Sequence, residues 1–162
     1  MTALLLQRVL VASLGTIAIH LPLVPVGQAG ERIANPDLLF CLLAACVLRR
    51  PEAVPLSLVL VLGLLADFIL GRAPGPGALG LVLATEHLRR RSPGSFLAEW
   101  LRAALLFAAI LAGIAALLAL TLAPLPGSAV LARYWLATAL AYPLVAAALR
   151  FALDTPRPGV PR

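Results

Sequence analysis

The sequence predicts an all-α fold: a polytopic integral membrane helix bundle with six transmembrane helices. Three observations carry that reading. The 162-residue chain is 62% hydrophobic and only 12% charged, more apolar surface than a soluble domain of this size can hide. Its apolar runs alternate with short polar turns, as expected where lipid forces each segment to satisfy its own backbone in a helix. All thirteen basic residues are arginine, and they sort by turn. Loops rich in arginine stay on the cytoplasmic side of a membrane.

Segment 1 runs from about Val9 to Val26, segment 2 from Pro36 to Leu48 and segment 3 from Val54 to Leu70. Segment 4 covers Gly77 to Leu88, segment 5 about Trp100 to Leu122, and segment 6 about Val130 to Leu149. Segments 2 and 4 are short. A twelve-residue helix rises about 18 Å, against a hydrocarbon core of about 30 Å. These two must borrow length from flanking residues or be shielded by their neighbours; the alternative makes one a re-entrant hairpin. Asn35-Pro36-Asp37 reads as a capping residue, a first-turn proline and an acid on the positive end of the helix dipole. Glu99 plays a similar part at the start of segment 5. The turn Gly71 to Gly77, with Pro74 and Pro76, is one that no helix crosses.

Six spans put both termini on one side, with Arg8, Arg49, Arg50, Arg89, Arg90, Arg91, Arg102, Arg150, Arg157 and Arg162. Arg32, Arg72 and Arg133 fall on the other. Ten against three predicts cytoplasmic amino and carboxyl termini. Residues 1–150 form the six-helix transmembrane domain, and 151–162 a short polar, proline-rich, disordered cytoplasmic tail. Gly27-Gln28-Ala29 faintly resembles a signal cleavage site, but Pro22, Pro25 and His20 interrupt the preceding run. The net charge of +6 belongs to arginines flanking apolar segments, so the expected counter-charges are anionic lipids, with no nucleic acid.

Ionisable residues inside a span are functional candidates. Asp67 lies within segment 3, about one turn from the Gly71 loop, and its carboxylate needs a partner. Arg72 and Arg133 share its side. A charge pair locking segment 3 to segment 6 or to the turn is one reading; a contact to a partner protein and a catalytic or proton-carrying role are the others. Glu86, with Arg89 and Arg90 at i+3 and i+4, closes segment 4 near the opposite face, too far away to form an acid–base pair with Asp67. Ala104, Ala108, Ala112 and Ala116, with Gly113 beside them, form a small-residue stripe on segment 5. Such a stripe serves internal packing or the docking of another membrane helix. Cys41 and Cys46 lie about 140° apart on a helix and share no face, so no disulfide or metal role is expected. No catalytic constellation, cofactor motif or metal-ligand spacing is present, so the chain reads as no enzyme.

The order of Asn35-Pro36-Asp37-Leu38-Leu39, Arg49-Arg50-Pro51, Gly63-Leu64-Leu65-Ala66-Asp67 and Gly75-Pro76-Gly77-Ala78-Leu79 resembles the MreD family of rod shape-determining proteins. Ala84-Thr85-Glu86-His87-Leu88-Arg89 looks like that family's alphaproteobacterial branch. The resemblance implies a non-enzymatic inner-membrane subunit of the cell-wall elongation machinery. Its implied partners are MreC, MreB, RodA and a class B penicillin-binding protein. It also implies a fold like the substrate-binding component of energy-coupling-factor transporters. A small-molecule (vitamin-type) binding subunit of a transporter is the alternative, with His20, Asp67, Arg133, Tyr134 and Trp135 as the expected liners. A reporter fused after Arg162 should be active on the cytoplasmic face; activity on the periplasmic face would contradict the even span count.

Overall fold

A short apolar helix, Leu38–Arg49, sits at the centre of the fold. The computed structural model describes residues 2–23, 35–91 and 94–154, and within these it contains six α-helices and no strand. They are α1 (Thr2–His20), α2 (Leu38–Arg49), α3 (Leu56–Ile69), α4 (Pro76–Arg89), α5 (Phe96–Leu120) and α6 (Ser128–Asp154). Short 3-10 turns follow α1 at Leu21–Leu23 and precede α3 at Pro51–Ala53. The helices fall where the apolar runs predicted them, with longer outer members. α1 begins at Thr2, before Val9, α5 begins at Phe96, before Trp100, and α6 reaches Asp154. Arg8 therefore lies inside a helix. Arg32, Arg157, Arg162, the Gly27-Gln28-Ala29 stretch and the tail from 155 lie outside the described residues.

Three helices are long and apolar enough to cross a membrane: Leu4–Leu23, Phe96–Leu120 and Ser128–Phe151. The other three are short. α2 has 12 residues, about 18 Å, and α3 and α4 have 14 each, about 21 Å. α2 solves its shortness by burial. Every residue from Leu39 to Leu48 is buried, and α1, α4, α5 and α6 all pack against it. The sequence explains this, since α2 carries no polar side chain between Leu38 and Leu48 apart from two cysteines, and a helix apolar all round belongs inside. Ala44, Ala45, Cys41 and Cys46 keep it thin enough for close approach. Both cysteines face neighbouring helices, and Cys41 Sγ lies 3.5 Å from the Thr138 carbonyl.

α3 and α4 form a tight pair. A Cβ added at Gly63 would stand 2.7 Å from the Ala78 backbone, so only glycine fits. The outward faces are oily. Leu5, Leu6 and Val9 of α1, Leu105 of α5, and Leu140 and Leu144 of α6 are exposed, as lipid-facing residues should be.

Gly63→Ala should push α3 off α4 and lower stability by about 1–3 kcal/mol. Gly113→Ala, where an added Cβ meets nothing within 4 Å, should cost nothing and raise stability by up to about 1 kcal/mol through helix propensity. Unfolding in mixed micelles measures both.

Candidate functional site: two polar ends and the surfaces between them

Polar side chains gather at the two ends of the bundle. At one end, Arg8 of α1 reaches the Glu52 carbonyl at 3.4 Å. Arg89 of α4 donates to the carbonyls of Pro51, at 3.2 Å, and Val54. Glu86 pairs with Arg89 at 3.6 Å and with Arg90 at 3.0 Å. Glu99, 5% exposed, stands between Arg49 at 3.7 Å and Arg150 at 3.6 Å, tying α5 to the last turns of α2 and α6. These separations exceed hydrogen-bond length, so charge holds the trio. Arg49 also donates to its own helix at the Ala45 carbonyl, 3.0 Å. Arg150 lies 4.9 Å from the Phe96 ring. The contacts collect Arg8, Arg49, Arg89 and Arg150 at one end, so the chain passes back and forth between two ends through six helices.

The other end holds Asp37, Asp67, Arg72 and Tyr134. Asp37, not Asn35, caps α2, because Pro36 precedes the first helical turn and Asp37 Oδ1 accepts from the Phe40 amide at 3.0 Å. Asn35 instead donates to the Pro22 carbonyl at 3.1 Å. Asp37 Oδ2 accepts from the Tyr134 hydroxyl at 2.7 Å and lies 3.8 Å from Arg72 Nη1. Arg72 Nη2 donates to the same hydroxyl at 3.0 Å. Burial works against the Arg72 charge, but Tyr134 and Asp37 beside it outweigh that and raise its pKa above the ordinary arginine value. Thr138 Oγ1 accepts the Asp37 amide and donates to the Tyr134 carbonyl, both at 2.9 Å. Phe107 of α5 lies 4.9 Å from Phe40 and 5.4 Å from Tyr134, an aromatic column joining α2, α5 and α6.

Asp67 has a different partner from the arginine that the sequence suggested. It is 2% exposed, and its Oδ2 accepts from the amides of Gly75 at 3.0 Å and Ala78 at 3.2 Å. The carboxylate of α3 thus caps α4, where orphan amides and the helix dipole favour a negative charge. Gly75, at φ +114°, turns its amide toward Asp67, a conformation that favours glycine. Arg72 is drawn to Asp37 instead. Arg133 is exposed on α6. Asp67 and Glu86 stand at opposite ends of the bundle.

Two hollows separate these ends from the exposed flanks. A cavity of about 440 Å³ at the Arg72 end is lined by residues of all six helices, among them Ile19, Asp37, Asp67, Leu81, Ile110 and Tyr134. Of the expected liners, Asp67 and Tyr134 reach it, whereas His20, Arg133 and Trp135 do not. Trp135 Nε1 donates to the Ala104 carbonyl at 2.9 Å, and Trp100 Nε1 to that of Ala139 at 2.8 Å, bolting α5 to α6. The second hollow is an apolar groove of about 640 Å³ between α4 and α5, lined by Leu79, Gly80, Leu83, Gly113, Ala116 and Leu120, among others. The small-residue stripe divides there. Ala104 and Ala108 are half-buried, whereas Ala112, Gly113 and Ala116 are exposed. Among the described residues no group of three or more His, Cys, Asp or Glu is placed to hold a metal.

One family model, described as rod shape-determining protein MreD, matches residues 2–152. The chain belongs to the MreD family. MreD membership makes it a membrane protein with a role in rod-shape determination, consistent with its three long apolar helices. No curated protein and no solved structure matches the chain. In this MreD-family bundle, the sequence pattern exposed Asp67, Arg72 and the Glu86 pairs. It missed the roles of Glu99, Tyr134 and Thr138, whose partners on other elements lie 50–101 positions away.

Asp67→Asn keeps a capping oxygen and should change stability little, whereas Asp67→Ala should lose about 1–2 kcal/mol. Glu99→Ala should cost roughly 2–4 kcal/mol, at or below the range for breaking a buried pair because Arg150 is half exposed. Chemical unfolding in micelles reads both.

Proposed function

We propose that this protein is a non-enzymatic scaffold subunit of the bacterial cell-wall elongation (rod shape) complex, one that holds a single-span partner such as MreC. In this reading all six helices cross the inner membrane, with both termini cytoplasmic. The arginine-rich end faces anionic lipids and the cytoplasmic actin-like MreB. RodA and the class B penicillin-binding protein complete the assembly. Family membership supplies the shape-determining role. The α4–α5 groove supports the scaffold role, because it is apolar, runs along the exposed flank and opens onto a glycine with free space above it. A neighbouring helix can approach closely there. The polar groups that could react are instead spent in caps and ion pairs. The cavity favours a second reading, a small-molecule (vitamin-type) binding subunit of a transporter, whose test is saturable uptake into vesicles.

A photocrosslinking residue at Gly113 or Ala116 should capture MreC in native membranes, and Gly113→Trp should abolish capture and round the cells while the bundle still folds. Capture from Leu144 on α6 but never from the groove would place the partner elsewhere.

A further inference from the structure

The unequal helix lengths make room at the Arg72 end. α2 starts at Leu38, α3 stops at Ile69 and α4 starts at Pro76. Beyond the cavity-lining Ile114, α5 climbs to Leu120, about 9 Å further. The space left over the short helices is the cavity of about 440 Å³. That is about fifteen water volumes at about 30 Å³ each, and within the roughly 300–1,000 Å³ typical of small-molecule sites.

The walls are mixed. Ile19, Leu39, Leu81, Ile110, Leu111 and Ile114 supply an apolar side. Asn35, Asp37, Asp67, Arg72 and Tyr134 supply the polar one. Among the described residues, that polar side holds two carboxylates and one guanidinium, each already engaged. Asp37 faces Arg72 at 3.8 Å and caps α2. Asp67 rests on the amides that open α4. An anion would find the cation there, Arg72, already paired with Asp37, and a cation would have to share Asp67 with the amides and helix dipole that already hold it; either must shed its hydration on entry, at a cost no single hydrogen bond offsets. Hydrogen-bonding capacity, by contrast, remains. A guanidinium has five N–H donors, and Tyr134 takes one of those on Arg72. The Asp67 carboxylate keeps acceptor capacity on Oδ1, the oxygen beside Gly77.

We propose that this cavity is a binding site for an uncharged small amphiphile, with an apolar body and a head that both accepts and donates hydrogen bonds, such as an amide, lactam, urea or hydroxyl group. The body lies against Ile19, Leu81 and Ile110, and the head accepts from Arg72 and donates to Asp67. The inference rests on the cavity alone and stands or falls independently of the scaffold reading.

Three eight-carbon probes that differ only in their heads test it: octanamide, octanoate and octylamine. Each is added to the protein in lipid nanodiscs, and thermal unfolding is followed by tryptophan fluorescence. Octanamide should raise the midpoint by about 3 °C at ten times its Kd, and the two ions should not. The rise should vanish in Ala18→Phe and Ile114→Trp, which fill the cavity from its walls, and shrink in Arg72→Gln. It should persist in Leu144→Ala, at an exposed position outside the cavity. An equal rise in the filled variants would assign the binding to another surface and overturn the proposal. So would a rise with octanoate or octylamine as large as that with octanamide, or no rise with any probe. If Arg72→Gln does not fold, the two filled variants decide the matter.

Discussion

A helix shorter than the bilayer's hydrocarbon core lies at the heart of this fold, and much of the rest follows from how it is accommodated. α2 is about 18 Å long, against a hydrocarbon core of about 30 Å. Left facing lipid, its two ends would present orphan amides and carbonyls at membrane depth, each costing several kcal/mol. The fold answers at both ends. Asp37 takes the Phe40 amide at the first, and Tyr134, Arg72 and Thr138 in turn hold Asp37 and its backbone. At the second, Arg49 folds back on the Ala45 carbonyl while Glu99 and Arg150 balance its charge. Between those ends the surrounding helices wall α2 off completely.

That arrangement accounts for the shape of the remainder. Every helix but α2 turns an apolar face outward, the long α1, α5 and α6 and the short α3 and α4 alike, and α1, α4, α5 and α6 wall in α2. Because the short helices stop early, the wall rises above them at the Arg72 end and leaves the central cavity. The apolar groove follows nearly the whole of α4, from Pro76 to His87, against α5 from Leu106 to Leu120. Reactive-looking groups such as Asp67 are consumed in closing helix ends, which fits a shape-determining membrane protein better than a catalyst.

Much of this was legible in the sequence, for reasons that differ by element. The helices were readable because apolar runs and arginine-bearing turns report lipid and interface directly. The arginine sorting anticipated which helix ends lie together, and contacts through Glu52, Pro51 and Glu99 bring four of those arginines to one end. The capping of α2 was misplaced by two residues, since Asn35 and Asp37 are equally good caps by type and only the backbone at Pro36 separates them. The partner of Asp67 was out of reach for a similar reason. Composition flags a buried carboxylate as needing company, but backbone amides have no signature in a sequence, which offers only Arg72, Arg133 or a partner protein as visible answers. Glu99, Tyr134 and Thr138 depend on contacts between distant helices, which no local pattern encodes. The small-residue stripe was visible as a stripe, yet which of its members face inward depends on how α5 rotates against Trp135.

The enclosure of α2 can be measured without altering the chain. A lipid-soluble diazirine, activated in native membranes and located by mass spectrometry, tags the surfaces that touch acyl chains. The account predicts heavy labelling on α1, α5 and α6 at exposed positions such as Leu14, Leu105 and Leu140, and almost none from Leu39 to Leu48. Labelling of α2 at the level seen on α6, recurring every three to four residues, would contradict it.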